Sequence, residues 1–99
     1  MSFPTVPQQR QSSRLVPLAG EFDIATANQL YDAINHPGEN LVLDLTSVTF
    51  MDASALGVIA SAARLLAETG GSLRVTGATP HLEKVFRLAQ FHALLSPTA

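Results

Sequence analysis

Asp52 stands directly before a helical pattern whose first turn is small throughout, Asp52-Ala53-Ser54-Ala55-Leu56-Gly57. Asp is among the best helix N-caps, because its carboxylate accepts the orphan backbone N–H groups of the first turn. No bulky side chain covers the positive end of this helix. A partner can approach the backbone there, and an added phosphate would meet a favourable field. Ser54 carries the one hydroxyl of that turn. The plainer reading is an ordinary capped helix with small residues packed closely on a sheet, Ser54 sharing in the capping.

Other reactive chemistry is thin. His36, His81 and His92 are spread along the chain and read as loop or surface residues, so no metal site is expected. Asp44 and Asp52 lie eight residues apart, on a predicted strand and a helix cap. Asp44 reads as a carboxylate satisfied by backbone or hydroxyl groups near a strand end, not as a catalyst. There is no Gly-x-Ser-x-Gly, Walker-type loop or dinucleotide fingerprint. Arg64, Glu68, Glu83 and Arg87 read as solvated sides of helices, and Gly70, Gly71 and Gly77 as punctuation. The chain has no cysteine, which excludes disulfides and thiolate chemistry and fits a reducing cytoplasm. A formal charge of −2 supplies no basic field for nucleic acid. No apolar run approaches the ~20 residues of a membrane span, and Met1–Arg10 lacks the apolar core of a signal peptide. The expectation is a cytoplasmic binding module, not an enzyme, with no cofactor.

Ninety-nine residues make one domain, enough for one modest core. Leu41–Leu45 is an almost continuous apolar run, as in a strand buried on both faces of a parallel sheet. Thr46 and Ser47 read as turn residues, and Phe50 and Met51 lead into Asp52. In the helix that follows, Leu56, Ile59, Ala60, Ala63 and Leu66 or Ala67 form an apolar stripe, and Gly70-Gly71 end it. Upstream, Arg14–Ala19 is a strand whose Pro17 points to a free edge. Gly20–Asp23 is a turn. Asp23 caps a helix over Ile24–Asn35, with Ala27, Leu30, Tyr31 and Ile34 buried, and His36-Pro37-Gly38 stops it. Downstream, Leu73–Thr76 is a strand. Thr79-Pro80 opens a helix with Leu82, Val85, Phe86 and Ala89 on its apolar stripe. Ala93–Leu95 fits a last short strand and Pro97-Thr98-Ala99 a frayed end. Two readings stand for the polar start: disorder, or an edge strand over Ser2–Gln8. Strands alternating with helices imply right-handed crossovers and a largely parallel sheet.

The runs DLTSVTFMDASALGVI (Asp44–Ile59) and GGSLRVTGATPHLEKVFRLAQFHALL (Gly70–Leu95) resemble the STAS domain, the fold of bacterial anti-sigma factor antagonists. In that family a strand ending in Asp-Leu leads to Phe-Met/Ile-Asp-Ser-Ser/Thr-Gly-Leu-Gly and a helix. Gly20-Glu21-Phe22-Asp23 resembles the family's earlier Gly-Glu-Leu-Asp signature. The likeness spans roughly residues 12–96. It implies a single α/β STAS-like domain: a four- or five-stranded mixed, mostly parallel sheet, three helices, and an N-terminal antiparallel edge strand. Residues 1–11 are then a polar segment or that edge strand, 12–96 the domain, and 97–99 a tail.

The resemblance further implies a monomer that binds an anti-sigma factor and frees a sigma factor. The binding surface would comprise Asp23, Asp52, Ala53, Ser54, Gly57, Val58 and Ser61. Many such anti-sigma factors are ATP-dependent serine kinases that phosphorylate the antagonist. Here the family's phosphoacceptor serine is replaced by Ala53 and the motif glycine by Ala55, which leaves Ser54 as the candidate phosphoacceptor. The alternative within the family is a STAS subunit of a bacterial lipid-transport ABC complex. Phe50-Met51-Asp52 and Leu56-Gly57-Val58-Ile59 are closer to the antagonist type.

Overall fold

A twelve-residue strand, β2 (Asn40–Met51), runs through the middle of the sheet, with β1 (Arg14–Phe22) on one side and β3 (Ser72–Thr76) on the other. The computed structural model describes residues 13–91 and residue 94. A 3-10 turn (Ile24–Thr26) and α1 (Ala27–Ile34) follow β1. Helix α2 (Ala53–Glu68) follows β2, and α3 (Pro80–Leu88) follows β3. All strand pairings among the described residues are parallel: Arg14 opposes Leu41 and Phe22 opposes Met51, while Asn40 opposes Ser72 and Asp44 opposes Thr76. The α/β fold with three helices is as the sequence implied. Of the four or five expected strands, three lie among the described residues. The candidate strand at 2–8 falls outside them. So does most of 93–95, where Leu94 is in a helical turn, its N–H bonded to the Phe91 carbonyl at 3.0 Å.

Burial along β2 differs from the expectation. Leu41, Leu43 and Leu45 are buried, but Val42 and Asp44 between them are only half-buried. The period of two means that one sheet face carries the core. On it Leu30 and Ile34 of α1 join Leu56, Ile59, Ala62 and Leu66 of α2. The expected turn at Thr46-Ser47 is absent, and β2 continues to Met51. The reason lies in its neighbours. β3 stops opposite Asp44, but β1 follows β2 to its end through register shifts after Pro17 and after Gly20. Pro17 has no N–H for the ladder, and Gly20 takes a left-handed φ of 88°, so both are natural places for an irregularity. The expected Gly20–Asp23 turn shrinks correspondingly to Asp23, since Gly20, Glu21 and Phe22 belong to β1.

The helix faces need smaller corrections. In α1, Leu30 and Ile34 are buried one above the other, Ala27 is half-buried, and Tyr31 is exposed. Tyr31 sits about 100° round from Leu30, beyond the edge of the apolar stripe. In α2 the stripe runs through Ala55, Leu56, Ile59, Ala62 and Leu66; Ala60 and Ala63 are half-buried and Ala67 is exposed. Gly70, with φ 92°, ends α2. Its N–H reaches the Ala67 carbonyl, and the Gly71 N–H reaches the Leu66 carbonyl at 2.7 Å. In α3 the Thr79 hydroxyl accepts the Leu82 N–H at 3.2 Å and Pro80 opens the first turn. Leu82 and Phe86 are buried, with Val85 and Ala89 half-buried, as the sequence predicts. No described helix is long and apolar enough to cross a membrane.

Candidate partner-binding site

The start of α2 is tied to the end of β1. Asp52 has an extended backbone, and its carboxylate accepts the Ala55 N–H at 3.2 Å. Its own N–H donates to the Phe22 carbonyl at 3.1 Å, continuing the pairing of Phe22 with Met51. Asp23, the next residue after Phe22, is a second cap. It accepts N–H bonds from Ala25 at 2.9 Å and Thr26 at 3.2 Å, while the Thr26 hydroxyl accepts the Asp23 N–H at 2.9 Å. The two aspartates predicted for the site therefore meet at one corner, each holding a helical turn.

From that corner the outward face of α2 rises. Ser54, Gly57, Val58 and Ser61 recur at spacings of three and four, away from the buried Ala55, Leu56, Ile59 and Ala62. Ala53 and Gly57 are exposed, and Ser54, Val58 and Ser61 are half-buried. A Cβ added at Gly57 would meet no atom within 4 Å, so the backbone there is open to a partner. Asp52 alone caps the first turn through its side chain; the Ser54 hydroxyl takes no part and makes no hydrogen bond among the described residues.

Two apolar residues at this corner were not singled out by the sequence. Ile24 is 78% exposed and Phe50 48% exposed. Ile24 was expected on a helix and Phe50 in a lead-in, where neither has a required side. The signal available was their adjacency to Asp23 and Asp52, one residue and two residues away.

Asp44 is elsewhere and is satisfied locally. It accepts the Thr46 N–H at 2.9 Å and the Thr46 hydroxyl. The hydroxyl first, and then the backbone N–H, hold its carboxyl below the usual Asp range. Gly77, with φ 75°, packs over both side chains where a Cβ would overlap them. Farther off, Arg14 Nε bonds Glu39 Oε1 at 2.7 Å, which lowers the Glu39 pKa and raises that of Arg14. His36 Nδ1 lies 3.9 Å from Glu39 Oε2. His81 is exposed, and His92 lies outside the described residues.

Residues 5–96 match the family model described as Mlab, STAS domain. The chain belongs to the STAS domain family. It is similar to the anti-sigma F factor antagonist of Paenibacillus polymyxa, 32% identical over 80 residues covering 76% of this chain and 68% of that one. Its fold is that of the anti-sigma factor antagonist SpoIIAA in its unphosphorylated form, with TM-score 0.67, 22% identity, and coverage of 88% of this chain and 81% of that chain. A sulfate transporter family protein from Wolinella succinogenes shares the fold equally, with TM-score 0.70, 19% identity, and coverage of 83% and 70%. Both likenesses show the fold alone.

Proposed function

We propose that this STAS domain is an anti-sigma factor antagonist: it binds an anti-sigma factor through the α2 start and so releases a sigma factor for transcription. The reading is carried by one observation, the open first turn of α2 at the Asp23–Asp52 corner. Support comes from the 32% identity to a relative named as such an antagonist. The module acts by binding, as a cytoplasmic monomer, through Asp23, Asp52, Ala53, Ser54, Gly57, Val58 and Ser61, all within residues 12–96. A specific interface needs about 800 Å² per partner, so the partner must cover the flanking turn as well as this face of α2. The partner is an ATP-dependent serine kinase, and Ser54 is the hydroxyl nearest to the position where the family carries its phosphoacceptor.

A second reading has its own support. Ala53 has no hydroxyl, and the matching family model is not described as that of an antagonist. Both facts favour a STAS subunit of a lipid-transport ABC complex. A competition assay separates the two. The chain is added to a preformed complex of sigma and anti-sigma factor, and free sigma factor is measured by size exclusion. The antagonist reading expects stoichiometric release. No release, together with recovery of a membrane-bound ATPase on the tagged chain, would replace it with the transport reading.

A further inference from the structure

Ile24 and Phe50 stand on either side of the hydrogen bond from Asp52 N–H to the Phe22 carbonyl. One lies two residues past Phe22 and the other two residues before Asp52. They are exposed by 78% and 48%, although Phe50 adjoins the buried Met51 and Ile24 the half-buried Asp23. Phe50 opposes Glu21 across the β1–β2 pair and Ile24 opens the 3-10 turn that Asp23 caps, so two large apolar side chains stand exposed on the segments that meet at this doubly capped corner. Every charged residue on the segments that build this corner is a carboxylate: Glu21 and Asp23 at the end of β1, and Asp52 at the start of α2. From Leu15 to Ala63 the chain has no lysine or arginine, and its one histidine there, His36, sits by Glu39 at the opposite end of β2.

We infer that Ile24 and Phe50 are the apolar anchors of the binding face, and that they fit a protein partner presenting an apolar pocket bordered by lysine or arginine. This rests on the antagonist reading and supplies what that reading lacks, since the small residues of α2 admit a partner closely but bury little apolar area. An aromatic anchor inside a charged rim is the arrangement in which a few side chains carry most of the binding energy. The acidic rim adds attraction for a basic partner that added salt would screen.

The test is calorimetry of the purified anti-sigma factor with the wild-type chain, Ile24→Ala and Phe50→Ala. Leu88→Ala serves as the control, because Leu88 is 75% exposed at the last position of α3, an element that does not build the corner. Circular dichroism confirms the fold of each variant. Ile24→Ala and Phe50→Ala are each expected to weaken binding by about tenfold or more, with Leu88→Ala within about twofold of wild type. Raising salt from about 50 mM to about 300 mM is expected to weaken wild-type binding severalfold. Tight wild-type binding that neither variant changes, or that salt leaves untouched, would overturn the anchors and their rim while the antagonist reading stands. A wild-type chain that does not bind would remove both.

Discussion

On the proposed antagonist reading, Ala53 and Ser54 set whether a kinase finds a hydroxyl at the start of α2. Ala53 occupies the exposed position after the cap, and Ser54, half-buried, lies about 100° further round α2. A kinase that holds its nucleotide against the first position has no hydroxyl there. Phosphorylation of Ser54 would also add about −1.5 to −2 charge beside Asp52, against a gain of only about 0.3–1 kcal/mol from the helix N-terminus. Incubation with the anti-sigma kinase and ATP, followed by intact mass, should therefore show little modification of the wild-type chain and a gain of one phosphate in Ala53→Ser. Rapid, stoichiometric modification of the wild-type chain that is lost in Ser54→Ala would contradict this. A second expectation concerns Asp44. Its pKa is lowered in the fold by Thr46, so it favours the folded state above the unfolded-chain pKa. That contribution disappears as the pH falls through the folded value. In Thr46→Val the hydroxyl is lost, and the Asp44 carboxyl should titrate nearer the ordinary Asp range by NMR. Denaturation curves of wild type and variant should then approach one another in acid. An unmoved Asp44 titration would deny the hydroxyl its role.

At the level of elements, chain punctuation decides where helices stop and how closely they approach the sheet. Gly71 lies so near the Glu39 carbonyl that a Cβ would overlap it, and this backbone contact joins the end of α2 to the entry of β2. Gly71→Ala should lower stability in urea denaturation; an unchanged midpoint would mean that the two segments move apart freely. Gln90 ends α3 in the left-handed conformation, with φ 65°, and the Phe91 N–H reaches back to the Phe86 carbonyl at 2.7 Å. Gln90→Gly relieves that conformation and should raise stability by about 1 kcal/mol in the same assay. The sequence announced Gly70 as a helix stop because glycine is the usual residue there, but it concealed Gln90, whose side chain carries no such preference. It likewise announced the caps Asp23 and Asp52 and the helix start at Thr79-Pro80, whose chemistry is local. It misplaced the end of β2. Thr46 and Ser47 look like turn residues until β1 is seen to follow the strand past them, and that pairing is set by a segment thirty residues upstream.

Across the whole molecule, the buried residues of β2, α1, α2 and α3 belong to one core cluster among the described residues. Leu43 and Ile59 are both fully buried in it. Either residue replaced by alanine should cost about 2–5 kcal/mol, and a neutral result for both in chemical denaturation would contradict their burial in the core. The site is a property of this scale too. Local motifs placed Asp23 and the α2 start in the sequence, but only the parallel pairing of β1 with β2 brings them to one corner. Ile24 and Phe50 were illegible for the same reason, since an exposed apolar residue looks like any other until its neighbours are buried around it.

On the proposed reading a partner closes over the α2 start, and Gly57 offers the most direct test. The position is exposed, helical and free of neighbours, so arginine fits there without disturbing the core, and the lost glycine should raise helix stability by up to about 1 kcal/mol. Calorimetry of Gly57→Arg with the anti-sigma factor should show binding abolished in a chain at least as stable as wild type. Unchanged affinity in that folded variant would mean that the partner binds elsewhere.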